Sequence, residues 1–528
     1  MTVRAPILVV GLDACDPAIA HSLAAAGHLP TLRRLFEHAA RCRVRNPYGL
    51  FVGSLWMTFA TGLRADRHHF HCWDEIDVAS YVRRMTKPSS CGQTPFWRRL
   101  SEDGRRVAVI DVPHSKADVS INGLEVVEWG CHDRHFGFHT WPAAKASEIA
   151  SAFGLHPVLG LDPYSVREFA PDDYAHREGP LRTTEEERTL FDGLLRGVVA
   201  KRRLSTALLA DGGWDLFLTI FGESHAIGHQ QWHLHDPTHP RFDPALVEAV
   251  GGDPIPAIYR ELDAALGEML SLLDAEATVL VLLSHGMGPH NDGTHLLDEV
   301  LSRFDWFDRG PPPLIATPRE LLRRAAQSLE RRVPAFAVPT IRRTNAGRML
   351  RPCPEFASPD DRARQRFFVE PNNYVYGGVR LNLVGREPKG CVEPHQFDAV
   401  CQSLTDDLLA LINVQTGGPV VRSVERADRW YRRLPDDTMP DLFIDWERTA
   451  AIETVWSAKT GIVHSPYTHW RTGDHRPDGL LLAFGPGIPG STELAAVELE
   501  DLAPSIAGRL GVAIEDVDGA AAPWLLAH

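Results

Sequence analysis

The chain has 528 residues, of which 44% are apolar and 23% charged, the proportions of a globular protein and not of a disordered or disulfide-stapled one. Lysine and arginine number 55 against 69 acidic residues, and the net charge of −14 disfavours nonspecific binding to nucleic acid or to an anionic membrane surface. The longest apolar runs, such as Ile7 to Val10 and Val279 to Leu283, are strand-sized and far below the roughly 18 to 20 residues of a membrane span. The N-terminal residues lack a secretion-signal pattern, and the eight cysteines are scattered without a C-x-x-C pair, so a cytoplasmic protein with reduced thiols is expected.

At about 150 residues per domain the length allows three or four domains, or one large α/β enzyme domain with insertions. In chain order, four β-rich runs end in polar residues. Ile7 to Leu12 precedes Asp13, Val107 to Val112 precedes Pro113-His114, Leu216 to Phe221 precedes Gly222-Glu223-Ser224-His225, and Thr278 to Leu283 precedes Ser284-His285. A fifth run, Leu480 to Phe484, follows His475. The pattern predicts an α/β fold, a mostly parallel central sheet sandwiched by helices. Ligands of such sheets bind beyond the carboxyl ends of the strands, so these distant polar residues are expected to converge. Leu29 to Ala39, Ile258 to Leu273 and Glu500 to Leu510 have the apolar spacing of crossover helices.

Residues 306–366 differ from the rest. They include Pro311-Pro312-Pro313, are dense in arginine and lack a strand-like run. They are expected to be a helical insertion or connecting segment between core regions 1–305 and 367–528, with Pro318 to Arg332 as a solvated amphipathic helix. Asn372 to Pro394, rich in turn residues, reads as a loop-rich edge structure.

The densest chemical signal is FGESHAIGHQQWHLHDPTHP, where His225 and His229 are four apart and share one face of a helix. Two imidazoles so placed can grip one metal ion, although the spacing alone equally fits a solvated or capping pair. His233, His235 and His239 lie among Pro and Asp and read as a surface turn. Asp13 in GLDACD either caps the next helix or offers a hard oxygen to a metal. Ser284-His285 and Gly473-Asp474-His475-Arg476 are individually as open.

Together, the order of motifs resembles the alkaline phosphatase superfamily, in particular its type I phosphodiesterase and nucleotide pyrophosphatase branch. The residues carrying the resemblance are GLDACD at 11–16, LPTLRRL at 29–35, WMTFATGLRADRH at 56–68, HAIGHQQW at 225–232, LSHGMG at 283–288, GVRLNLVGREPKG at 378–390, TGDHRPDGLLLAFGPGI at 472–488 and VELEDLAPSIAGRLGV at 497–512. The resemblance implies a bimetal cluster at the carboxyl edge of the sheet that activates a Ser or Thr nucleophile for attack on phosphorus. It maps metal ligands onto Asp13, His229, His285 and His475. Three positions depart from the family pattern. His225 stands where Asp is usual in D-x-x-x-H, Ser284 stands where Asp is usual in S-D-H-G, and Val52 falls at the nucleophile.

Ser54, on what reads as the loop GLFVGSLW, is the nearest replacement hydroxyl, with Thr58 next. Alternatively Ser54 satisfies a turn, and water acidified by a divalent ion attacks directly. Two dications about 4 Å apart repel by about 16 kcal/mol at an effective dielectric near 20, and the mapped set keeps a single carboxylate. A tight site of His225, His229 and His475 is therefore expected, with a weaker or absent second site at Asp13, Ser284 and His285. Three imidazoles suit zinc, with iron and manganese left open. His132, Asn373 and Arg380 are expected to contact an anionic substrate. The sulfatase signature is missing, since Cys15 sits in the Asp13 motif without the required arginine.

The expected function is a metal-dependent hydrolase of phosphate esters, acting on phosphodiester or pyrophosphate bonds of a small anionic substrate. The alternatives are a metalloenzyme of the same fold with altered chemistry, such as a transferase, or a catalytically silent ligand-binding member. The oligomeric state is not readable from the sequence.

Overall fold

Nine strands form the central sheet, in the spatial order Glu493–Glu498, Ala40–Arg45, Asp478–Phe484, Thr278–Leu283, Ile7–Leu12, Leu216–Phe221, Val107–Ile110, Gly123–Val127 and His139–Trp141. All run the same way except Asp478–Phe484 and His139–Trp141. This computed structural model describes residues 6–86, 88, 92–132, 134–159, 182–310, 358–373, 375–434, 437–465 and 471–526. The expected mostly parallel sheet is present, and the fifth apolar run enters it antiparallel to Thr278–Leu283.

Alternation along the strands builds two layers, because successive side chains of a strand face opposite sides. Leu8, Val10 and Leu12 pack with residues of the helices Pro30–His38, Thr184–Ala210 and Pro254–Ser271. Ile7 and Val9 face the helices Phe51–Thr61, Phe96–Glu102 and Leu502–Arg509. Helix coverage on both sides explains why Ile7–Leu12, Leu216–Phe221 and Thr278–Leu283 are buried throughout and read as continuous apolar runs. The crossover helix read from Ile258 begins earlier, at Pro254, where the Asp253 side chain accepts from the Ile255 amide and Pro254 fixes the first turn. Among the described residues, no helix is long and apolar enough to cross a membrane.

A second, antiparallel sheet has the order Phe367–Val369, Tyr376–Leu381, Leu442–Trp446 and Val421–Arg426. Its core is shared with the helices Thr294–Arg309 and Phe397–Leu409. The stretch from Asn372, expected as a loop-rich edge, instead contributes an interior strand, Tyr376–Leu381, that is buried along its length. Most of the expected insertion, residues 311–357 with Pro318 to Arg332, lies outside the described residues. On its flanks, Asp305 pairs with Arg366 at 2.7 Å and Arg362 donates to the Tyr81 carbonyl at 2.6 Å.

Beside this second sheet, Glu370 is buried, with Oε1 accepting from the Ile76 amide and Oε2 making no hydrogen bond. Burial pushes its carboxyl up to about 8, against the pull of Arg380, so it is neutral at physiological pH. A folded pKa above the ordinary carboxyl value of 4.5 gives stability that is complete at acid pH and is lost as pH rises through about 8. Glu370→Gln is expected to remove this loss, so between about pH 5 and about pH 9 its melting temperature should fall less than that of the parent protein. Parallel melting curves against pH would refute it.

Candidate metal centre

The helix Glu223–His235 begins directly after the strand Leu216–Phe221 and carries His225 and His229 one turn apart. Its approach to the neighbouring chain depends on two glycines. A Cβ on Gly228 would lie 2.6 Å from Met287, and a Cβ on Gly473 would lie 2.2 Å from the Gly228 carbonyl oxygen. With both side chains absent, the Gly473–Arg476 strand lies against the helix, and the Thr472 amide donates to the His229 carbonyl at 2.8 Å. Gly473–Arg476 also pairs antiparallel with Gly286–Pro289, placing His475 opposite Met287 and close to His285.

One nitrogen from each of His225, His229 and His475 lies within 4.8 Å of the other two. The ring contacts are 4.6 Å between His225 and His229, 4.8 Å between His225 and His475 and 4.4 Å between His229 and His475. Hydrogen-bond partners fix the tautomers. His225 Nδ1 donates to Asp13 Oδ2 at 2.9 Å and His229 Nδ1 to the Gly473 carbonyl at 2.7 Å, which leaves each Nε2 with a lone pair. His229 Nε2 and His475 Nε2 stand 3.0 Å apart. Burial keeps these imidazoles neutral. It pushes His225 and His229 well below the usual range and His475 down to about 4, with neighbouring imidazoles and Arg471 adding to the effect. Ring nitrogens this close are reconciled by a shared proton, as in the hydrogen bond between His229 and His475, or by a cation between them. The Arg471 guanidinium, against the His229 ring with Nη2 2.5 Å from Nε2, is a cation at that position. A donor set of neutral imidazoles therefore fits a transition-metal ion.

Asp13 sits at the end of Ile7–Leu12 and is fully buried. Its Oδ1 accepts from Trp56 Nε1 at 3.2 Å and Ser284 Oγ at 3.0 Å, and its Oδ2 takes the His225 bond with His132 Nδ1 3.5 Å away. Asp13, His132 and His225 form a second set of ligand-type atoms within 4.8 Å. Both sets need His225, whose Nδ1 is already bonded to Asp13. Ser284 gives its proton to Asp13 and receives from the Ala14 amide at 3.2 Å and from His285 Nδ1 at 2.8 Å. Both of its lone pairs are thereby used, so Ser284, expected among the metal ligands, is placed as a bracket between Asp13 and His285. His285 is left with a buried Nε2 that has no hydrogen-bond partner, 4.5 Å ring to ring from His475, and burial lowers its pKa to about 3.

The loop expected around Ser54 is the helix Phe51–Thr61. Ser54 is buried inside it, and its Oγ donates to the Leu50 carbonyl at 2.9 Å, the back-bond of a serine in a helix interior. Phe51, not Ser54, lies against the centre, with its ring 5.7 Å from His285 and 6.3 Å from His475. Thr58 bonds His68 Nε2 at 3.0 Å. Arg380, expected to contact the substrate, lies in the second sheet. It is buried in the second sheet, bonded to Glu387 at 2.7 Å and to the Met439 carbonyl at 2.9 Å, with Asp437 at 3.4 Å. Asn373 takes a positive φ of 50° and accepts from Cys72 Sγ at 3.1 Å. It lies against Gly53, next to Val52, since a Cβ on Gly53 would come within 2.7 Å of its Nδ2. His132, expected at the substrate, lies against His225 with ring centres 3.7 Å apart and planes tilted by 40°. Its loop is held by Asp111, which accepts from the Trp129 and Gly130 amides at 2.8 Å each and pairs with buried Lys201 at 2.8 Å.

Sequence reasoning gave no role to Arg471 or to the buried group His290, Asp292 and Asp474, whose ligand-type atoms also lie within 4.8 Å of one another. Asp474 was visible as the neighbour of His475. His290 and Asp292 follow the SHGMG motif at a spacing that announces nothing.

Among solved structures, the fold is similar to phosphonoacetate hydrolase from Sinorhizobium meliloti 1021 in complex with phosphonoformate, at 13% identity, covering 93% of this chain and 91% of that one, with a TM-score of 0.45. It is also similar to murine ectonucleotide pyrophosphatase/phosphodiesterase 5, at 13% identity, 98% and 97% coverage and a TM-score of 0.46. No curated protein sequence matches the chain. The type I phosphodiesterase / nucleotide pyrophosphatase family model matches residues 7–478, and the chain belongs to that family.

Proposed function

We propose that the protein is a metal-dependent hydrolase of phosphate esters, acting on phosphodiester or pyrophosphate bonds of a small anionic substrate, with one transition-metal ion, zinc first, held by His225, His229 and His475. The observation that carries this reading is the convergence of those three imidazoles, two of them with Nδ1 bonded to Asp13 and to the Gly473 carbonyl. A divalent ion bound there supplies Lewis-acid polarisation of a phosphoryl oxygen and acidifies water. Asp13 orients His225, and Ser284 holds His285 with Nε2 free to accept a hydrogen bond or a proton. Arg471, buried beside His229, offers a guanidinium to an anionic oxygen. The six described cysteines are free thiols, which fits a reducing, cytoplasmic compartment.

A second reading has one specific observation in its favour. Val52 carries no hydroxyl and Ser54 bonds its own helix, so the same fold is able to serve a metal-dependent reaction other than ester hydrolysis through a protein nucleophile. Turnover tests the two. An aryl phosphodiester and a pyrophosphate should be cleaved by metal-loaded protein, while a full metal load with no cleavage of any ester would favour the second reading.

Protein purified without added metal and dialysed should retain one equivalent of a transition ion by elemental analysis, where two would contradict the single centre and none would remove it. His229→Ala and His475→Ala should each lose the ion and the turnover together. Ser54→Ala should leave the rate unchanged while lowering stability by about 1 kcal/mol, the worth of one buried hydrogen bond. A collapse of rate in a stably folded Ser54→Ala protein would restore Ser54 as the nucleophile.

A further inference from the structure

His225 occupies a position where the family pattern places a carboxylate, so three neutral imidazoles alone bring no negative charge to a bound dication. Asp13 stands behind His225 at 2.9 Å, and a second buried carboxylate, Asp474, is adjacent to His475. Its Oδ1 accepts from the His475 amide at 2.9 Å and stands 3.2 Å from His475 Nδ1, close in charge though not aligned as a hydrogen bond. Its Oδ2 faces His290 Nε2 at 3.6 Å, and His290 Nε2 is 2.5 Å from Asp292 Oδ2. His290 Nδ1 donates to the Arg471 carbonyl at 3.2 Å, so it binds the segment that leads into His475 at both ends. Asp292 is anchored in turn, its Oδ1 accepting from the Thr294 amide at 2.8 Å at the start of the helix Thr294–Arg309.

We propose that Asp474 is the displaced carboxylate of the three-imidazole centre, a positioning residue acting through His475, and that His290 and Asp292 form the strut that holds it there. The inference rests on the metal-centre reading above. A carboxylate behind a ligating imidazole raises its basicity and fixes its ring, and across a few ångströms of buried medium it also attracts the cation directly. His290, facing two carboxylates with Nε2 while Nδ1 donates to a carbonyl, balances part of their charge and keeps Asp474 from turning away.

The test is zinc affinity of the full chain, read by competition with a chromophoric chelator, together with the visible spectrum of the cobalt-substituted protein. Asp474→Asn should weaken zinc by about 10- to 100-fold and shift the cobalt bands. Asp292→Asn, which touches no ligand, should act in the same direction and less. A purely structural role would lower the melting temperature of the metal-free protein in both variants and leave affinity and spectrum unchanged. That outcome in whichever variant folds overturns the proposal. Failure of the metal-centre reading is separate, since the parent protein would then bind no zinc or bind it as tightly after His229→Ala.

Discussion

Gly228 and Gly473 pack backbone against backbone, and the arrangement of the centre depends on that contact. A methyl group on Gly473 would sit 2.2 Å from the Gly228 carbonyl oxygen, so any other residue would push the Gly473–Arg476 strand off the helix that carries His229. With the contact made, the Gly473 carbonyl takes the Nδ1 proton of His229, and His229 Nε2 meets His475 Nε2 at 3.0 Å. One backbone approach thus sets both the separation of two imidazoles and the tautomer of one of them. Neither effect requires a side chain at the point of contact, and a comparison of ligand residues alone would overlook it.

The sheet supplies the remaining partner. Asp13, His225 and Ser284 come from the ends of three adjacent parallel strands, Ile7–Leu12, Leu216–Phe221 and Thr278–Leu283, where an open α/β sheet gathers polar residues from distant parts of the chain. Asp13 serves them all, with Trp56 and Ser284 on one oxygen and His225 on the other. A carboxylate so engaged is strongly fixed in position, and it directs His225 toward His229 and His475. The set of Asp13, His132 and His225 competes with the three-imidazole set for the same ring. The proposal of one ion follows from repulsion of about 16 kcal/mol between close dications at an effective dielectric near 20, which Ser284, bringing no charge, does not offset.

The parts of this arrangement legible in the sequence are those encoded by periodicity. Strand-sized apolar runs ending at Asp13, His225 and Ser284 gave the sheet and its functional edge, and the four-residue spacing of His225 and His229 gave one shared helix face. Ser54 was misplaced because Gly53 read as loop chemistry, whereas tight packing of that glycine against the His71 carbonyl is compatible with a helix. An arginine in a polar stretch looks available in the sequence, and only the fold shows Glu387 and Asp437 enclosing Arg380. The strut of Asp292, His290 and Asp474 left no periodic trace, since its members are joined by the pairing of Gly286–Pro289 with Gly473–Arg476, a contact between segments far apart in the chain.

Val52 and Phe51 place a physical limit on how the centre reacts. The first turn of the helix Phe51–Thr61 presents the Phe51 ring to His285 and His475, and the next residue, Val52, stands at the position where the family pattern has a nucleophilic oxygen. An apolar wall beside a cation lowers the local dielectric and strengthens every charge interaction made there, so an anionic substrate oxygen is held more firmly and water has fewer positions from which to approach. Two other polar groups border the centre, with the His132 ring 3.7 Å from that of His225 and Arg471 against His229.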